Sequence, residues 1–177
     1  MRVFLTSDTH YGAERTRQFS YRPFGSTGEM DEYMMKLHNR DASDDDIIYH
    51  LGDFGNYEMV SKLNGRIILV CGNYEQVDIE GKFNGDFLKF REHLIQLGFY
   101  NVIKHGTWLG DIYVTHKPSD CCKKVFNCFG HVHGTQKIKR FGLNVGVDCH
   151  HFQLVPWELV KENIVNIKEH YDDEVFM

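Results

Sequence analysis

The chain has 177 residues, is 42% hydrophobic and 25% charged, and carries a formal net charge of −5 with a pI near 6.1. That length suits one domain, 1–177, with a core that needs no staples. The acidic balance argues against a broad electrostatic footprint for nucleic acid, and no run approaches the roughly 20 apolar residues of a membrane span.

The N-terminal residues 2–6 read as a strand, too short an apolar run for a secretion signal. Residues 11–25 read as a polar and aromatic loop. A helix is expected over 27–40, with Thr27 as N-cap and Met30, Met34 and Leu37 at helical spacing. Asp41 to Asp46 reads as an acidic turn, followed by a strand over 46–51, a short helix over 56–63 and a strand over 66–71. Phe87, Phe90, Leu94, Ile95 and Leu97 predict a helix over 86–97, stopped at Gly98. Five strands are then expected at 100–105, 107–115, 125–130, 136–141 and 143–147. A helix over 157–168 follows Pro156. The first half is thus βαβαβ-like and the second a strand meander. Together they predict an α/β (α+β) fold of two packed mixed sheets flanked by helices.

Five cysteines, Cys71, Cys121, Cys122, Cys128 and Cys149, form an odd set without a secretion signal. Reduced thiols and a cytoplasmic setting are therefore expected. The spacing of Cys121, Cys122 and Cys128 matches no common zinc pattern.

Five short polar motifs each follow an apolar strand-like run. They are Asp8-Thr9-His10, Gly52-Asp53, Gly72-Asn73, His116 and Gly130-His131-Val132-His133. They gather two Asp, one Asn and four His at strand C-termini. Oxygen and imidazole donors in this mix suit a pair of divalent transition metals. Such a pair clamps a phosphoryl group and generates hydroxide at neutral pH, which points to a metal-dependent phosphoesterase. His131 and His133 alternate, so a strand would send them to opposite sides. A bend at Gly130 and Gly134 is required if both face one site.

These motifs, in this order, resemble the calcineurin-like metallophosphoesterase superfamily, whose pattern is D-x-H, G-D, G-N-H-[DE], a lone His, and G-H-x-H. Arg22-Pro23-Phe24, Met30-Asp31-Glu32 and Asn144-Val145-Gly146-Val147-Asp148 also look like a small bacterial and phage-type subgroup of it. The resemblance implies a two-sheet αββα sandwich with the metal site at strand C-terminal ends. It implies Asp8, His10 and His133 on one ion, Asn73, His116 and His131 on the other, and Asp53 bridging. A hydroxide shared by the ions would attack phosphorus in line. Mn is the first expectation for the ions, with Fe, Zn, Ni or Co able to use the same donors.

The third motif departs from the pattern, because Tyr74 stands where the family carries a His that contacts phosphate and can protonate the leaving group. A phenol is a poor general acid at neutral pH. Diesters with good leaving groups, nucleotide or cyclic, should suffer least. The expected activity is therefore a phosphodiesterase, with Asp53, Asn73 and Tyr74 as catalytic candidates. A phosphomonoesterase, including a phosphoprotein phosphatase, is the alternative, as is a non-catalytic metal-binding scaffold on the same fold. No cap domain is inserted, so an open, shallow pocket is expected. Arg15, Arg17 and Arg22, just after the first motif, are candidates for phosphate contacts. Composition leaves the oligomeric state open.

Overall fold

A computed structural model describes residues 1–171; residues 172–177, the end of the expected 1–177 domain, lie outside the described residues. In chain order the first half contains β1 (Val3–Thr6), α1 (Glu14–Phe19), α2 (Thr27–Asp41), β2 (Ile47–His50), β3 (Arg66–Val70), α3 (Asn73–Lys82), α4 (Phe87–Leu97) and β4 (Asn101–Ile103). The second contains β5 (Thr107–Leu109), β6 (Ile112–Val114), β7 (Asn127–Phe129), β8 (Ile138–Lys139), β9 (Gly142–Asn144), β10 (Val155–Pro156) and α5 (Trp157–His170).

One sheet has the order β10-β1-β2-β3-β4, with β1 to β4 parallel and β10 antiparallel at the edge. The other has the order β5-β6-β7-β9-β8. Its β6, β7 and β9 are parallel, and antiparallel β5 and β8 flank them. The expected meander is therefore corrected. The chain crosses back between β6 and β7 and again before β9, so these strands end on the same side. Strands of two or three residues carry too little pattern to reveal their direction.

Alternation along β1 divides the core. Phe4 joins Ile48, Ile67 and Leu69 beneath Met30 and Met34 of α2 and Phe90 and Leu94 of α4. Leu5 joins Leu51 and Val70 against Ile112, Val114, Cys128 and Leu143 of the second sheet, with Val160 and Ile167 from α5. Each fully buried aliphatic side chain contributes roughly 1.5–3 kcal/mol. These two layers fix the strand ends against each other.

The helices adjust four expectations. Ser26, not Thr27, caps α2, its hydroxyl accepting the Glu29 N–H. The expected 11–25 loop contains α1. The unexpected α3 begins directly at Asn73. The short helix after Asn56 is a 3-10 turn, Tyr57–Lys62. Asp86 caps α4 by accepting the Lys89 N–H, and Gly98, at φ +122°, ends it. Among the described residues no helix is long and apolar enough to cross a membrane.

Candidate metal centre

The five motifs meet at one rim. β1 delivers Asp8, whose N–H donates to the Gly52 carbonyl (3.0 Å) and whose carboxylate accepts the His131 N–H (2.9 and 3.1 Å). One residue past β1, Ser7 pairs with Gly146 and so joins the two sheets at this rim. His10 donates its N–H to the Asp53 carbonyl (3.0 Å). Gly52 and Gly72 lie so close that a Cβ on Gly52 would sit 2.6 Å from the Gly72 backbone. A Cβ on Gly130 would lie 2.3 Å from the Asp8 carboxylate. These glycines let three chain segments crowd the carboxylates.

The side chains form two groups. Donor atoms of Asp8, His10 and His133 lie within 4.8 Å of one another, as do those of Asp53, His116 and His131. Asp53 stands between the groups. Its Oδ2 is 3.5 Å from His10 Nε2 and its Oδ1 is 3.5 Å from His116 Nε2. Asn73 Oδ1 lies 2.9 Å from both His116 Nε2 and His131 Nδ1. No described group of this kind includes a cysteine.

Backbone geometry marks the same residues. Asp8, His10, Asp53, His131 and His133 all have positive φ, between +47° and +71°. Non-glycine residues rarely take this conformation, which costs on the order of 1–3 kcal/mol each. His131 and His133 reach one site through these two left-handed residues and a 3-10 turn over His133–Thr135, the bend that their alternation demands.

Electrostatics leaves the cluster wanting a cation. Burial raises the pKa of Asp8. Burial, then the neighbouring His133 and Arg22, pushes the His10 imidazole down to about 2, so the ring is neutral. Both His10 ring nitrogens are buried without a hydrogen-bond partner among the described residues. An orphaned neutral imidazole beside two buried carboxylates fits a divalent ion. The other rings are oriented as metal ligands commonly are. His116 Nδ1–H donates to the Leu51 carbonyl (2.7 Å), and His133 Nδ1 lies 2.8 Å from Asp148 Oδ2.

Two residues support the site through contacts that the motifs did not reveal. Buried Glu75 accepts the N–H groups of Asp53, Phe54 and Gly72 (2.9, 3.0 and 2.7 Å), tying the second motif to the third. Asp148 accepts from Arg22 through both carboxylate oxygens as well as facing His133. Burial alone would lower the His133 pKa, but the Asp148 hydrogen bond and the Asp8 charge raise it overall. His50 lies beneath the site, its Nε2 2.9 Å from Thr9 Oγ1.

A cleft of ≈ 290 Å³ lies over the cluster, lined by His10, Asp53, Asn73, Tyr74, His131 and His133, with Arg15, Thr16 and Phe19 from the α1 side. Tyr74 is 38% exposed and packs edge-on against His10 at 4.6 Å. Its N–H donates to Asp53 Oδ1 (2.9 Å). Of the three arginines, Arg15 faces the cleft. Arg17 turns away to Glu14 and the Phe24 carbonyl. Arg22 is buried, held by Asp148 and the Asp8 and Thr9 carbonyls. The structure thus corrects the expectation that Arg17 and Arg22 contact substrate, because partners inside the chain already occupy both.

A family model described as a calcineurin-like phosphoesterase superfamily domain matches residues 1–149. An uncharacterized protein of Methanocaldococcus jannaschii is 31% identical over 83 residues, 42% of this chain and 47% of that protein. The match thus spans about half of the relative's length. A crystal structure of a protein of unknown function from Aquifex aeolicus superposes with a TM-score of 0.69 at 17% identity. It covers 92% of this chain and 99% of the other, and the likeness is one of fold.

Proposed function

The chain belongs to the calcineurin-like phosphoesterase superfamily, and from that premise we propose that it is a phosphoesterase working with two divalent ions, selective for phosphodiesters. The observation that carries this reading is Asp53, with one carboxylate oxygen 3.5 Å from His10 and the other 3.5 Å from His116. Asp8, His10 and His133 would hold one ion, Asn73, His116 and His131 the other, and Asp53 both. Two such ions supply hydroxide near neutral pH and neutralise charge on the phosphoryl oxygens. The donors are oxygen and imidazole with no thiolate, which suits Mn first and Fe, Zn, Ni or Co as well.

The protein's own groups set the rest. Arg15 reaches the cleft where a phosphate would lie, and a guanidinium can pair two of its oxygens. Tyr74 offers a hydroxyl as donor in place of an imidazole, so leaving groups that need a proton depart slowly. Activated or cyclic diesters need that proton least. The five cysteines are all unpaired, in keeping with a reducing, cytoplasmic setting.

The test is hydrolysis of bis-p-nitrophenyl phosphate against p-nitrophenyl phosphate, with Mn²⁺ and with EDTA. Metal-dependent turnover favouring the diester is expected. A monoester preference overturns the selectivity. Silence on both substrates in protein shown to hold two ions overturns the enzyme.

A further inference from the structure

The stretch from residue 117 to 141 carries Lys117, Lys123, Lys124, Lys137, Lys139 and Arg140 against a single acid, Asp120. The whole chain has the opposite balance, 25 acids to 20 lysines and arginines. Folding gathers four of these cations, Lys123, Lys124, Lys139 and Arg140, around one groove of ≈ 460 Å³ beside β7 and β9. Among the described residues no acidic side chain lines it. Phe129 lies in its wall, and Phe141 is 49% exposed beside it. Cations sit over both rings, with Lys139 Nζ 5.8 Å from the Phe129 centroid and the Arg140 guanidinium 5.6 Å from that of Phe141.

The groove abuts the metal centre along the chain. It is lined by Pro118, two residues after His116, and by Phe129, two residues before His131. Two residues span at most about 7 Å. These two chain segments therefore carry both the groove wall and metal-ligand candidates.

We propose that this groove binds single-stranded nucleic acid beside the metal centre. Clustered cations recognise a chain of phosphates, and an exposed ring flanked by a guanidinium recognises a base face. A polycarboxylate would meet the lysines but offers no ring face to Phe141. The acidic character of the chain as a whole does not oppose this, because charges beyond about 10 Å are screened at physiological salt.

The test is fluorescence anisotropy of the full chain with labelled 12-mers of oligothymidylate and oligouridylate, in EDTA so that binding is read without turnover. Saturable binding that weakens with salt is expected. Affinity should fall about tenfold in the double variant Lys123→Glu/Lys124→Glu, and about fivefold in Phe141→Ala. Both variants should retain hydrolysis of bis-p-nitrophenyl phosphate with Mn²⁺. If the double variant fails to fold, Lys123→Glu alone should cost about threefold. Absence of saturable binding, binding indifferent to these substitutions, or equal displacement by polyglutamate each overturns the groove. Binding with these properties in a protein that cleaves no diester supports the groove and sinks the diesterase reading instead.

Discussion

Strand β2 is bracketed by two buried aspartates, Asp46 before it and Asp53 after it, and they are finished in opposite ways. Asp46 accepts from the Arg2 N–H and guanidinium and from the Ser43 N–H and hydroxyl, all between 2.6 and 3.0 Å. A positive charge within the chain answers its own. Asp53 sits at φ +56° and accepts one backbone N–H, from Tyr74, with two imidazoles at 3.5 Å. Among the described residues no Lys or Arg pairs with it. The fold is complete at one end of the strand and leaves its charges unanswered at the other. Residues that satisfy each other serve stability, whereas residues held close and left unsatisfied serve something that arrives from outside.

The contrast can be broken experimentally. The largest effect is expected from Asp53→Asn, which should reduce diester hydrolysis at least about a hundredfold. It should lower bound metal measured by elemental analysis, yet not lower the melting temperature of the metal-free protein. A variant that lost stability in place of metal would erase the distinction between the two ends.

Asp148 sharpens it, because this rim carboxylate does have an internal cation. With side chains 0% and 7% exposed, the Arg22–Asp148 pair is buried. Asp148→Asn leaves the guanidinium unpaired and should cost about 3 kcal/mol in urea unfolding. Loosening His133 should also weaken metal binding about tenfold or more by titration.

Asp46→Asn should do the reverse of Asp53→Asn, lowering the melting temperature by several degrees while leaving kcat/KM intact below the transition. Arg2 and Ser43 hold the Asp46 carboxyl below the usual carboxylate range. Between its folded pKa and an unfolded value of about 4, the unfolded chain binds more protons, so stability rises with pH there. The contribution is complete above pH 4 to 5 and lost as pH falls below it. Urea midpoints at pH 6, 4 and 3 should drop more steeply for the native chain than for Asp46→Asn. The smallest effect is Arg15→Ala, expected to raise KM for the diester about threefold by loss of an exposed phosphate contact. Arg17→Ala should leave KM unchanged.

The site motifs were legible because each follows a buried strand whose apolar run is visible locally. Asp8, Asp53 and His116 stood out only as members of the ordered set of five motifs. What escaped depended on distant chain. The partner that buries Arg22 is 126 residues away, so its guanidinium read as a candidate phosphate contact. Glu75 follows Tyr74 at the acidic position of the third motif, but its three N–H donors come from two separate loops. Helix α3, Asn73-Tyr74-Glu75-Gln76-Val77-Asp78-Ile79-Glu80-Gly81-Lys82, buries Ile79 and Glu75 and little else, too thin an apolar stripe to announce a helix. The directions of β7 and β9 depend on crossovers that short strands do not encode.

The placement of donors from residue 8 to residue 133, across both sheets, has a consequence for how the protein folds. The full donor set exists only where β1, β2 and β3 are paired and the second sheet packs over them, because the donors come from all of these. Ions would therefore select the finished topology over every partly folded form, and their free concentration would act as a thermostat on the native population, each tenfold excess over the dissociation constant adding roughly 1.4 kcal/mol.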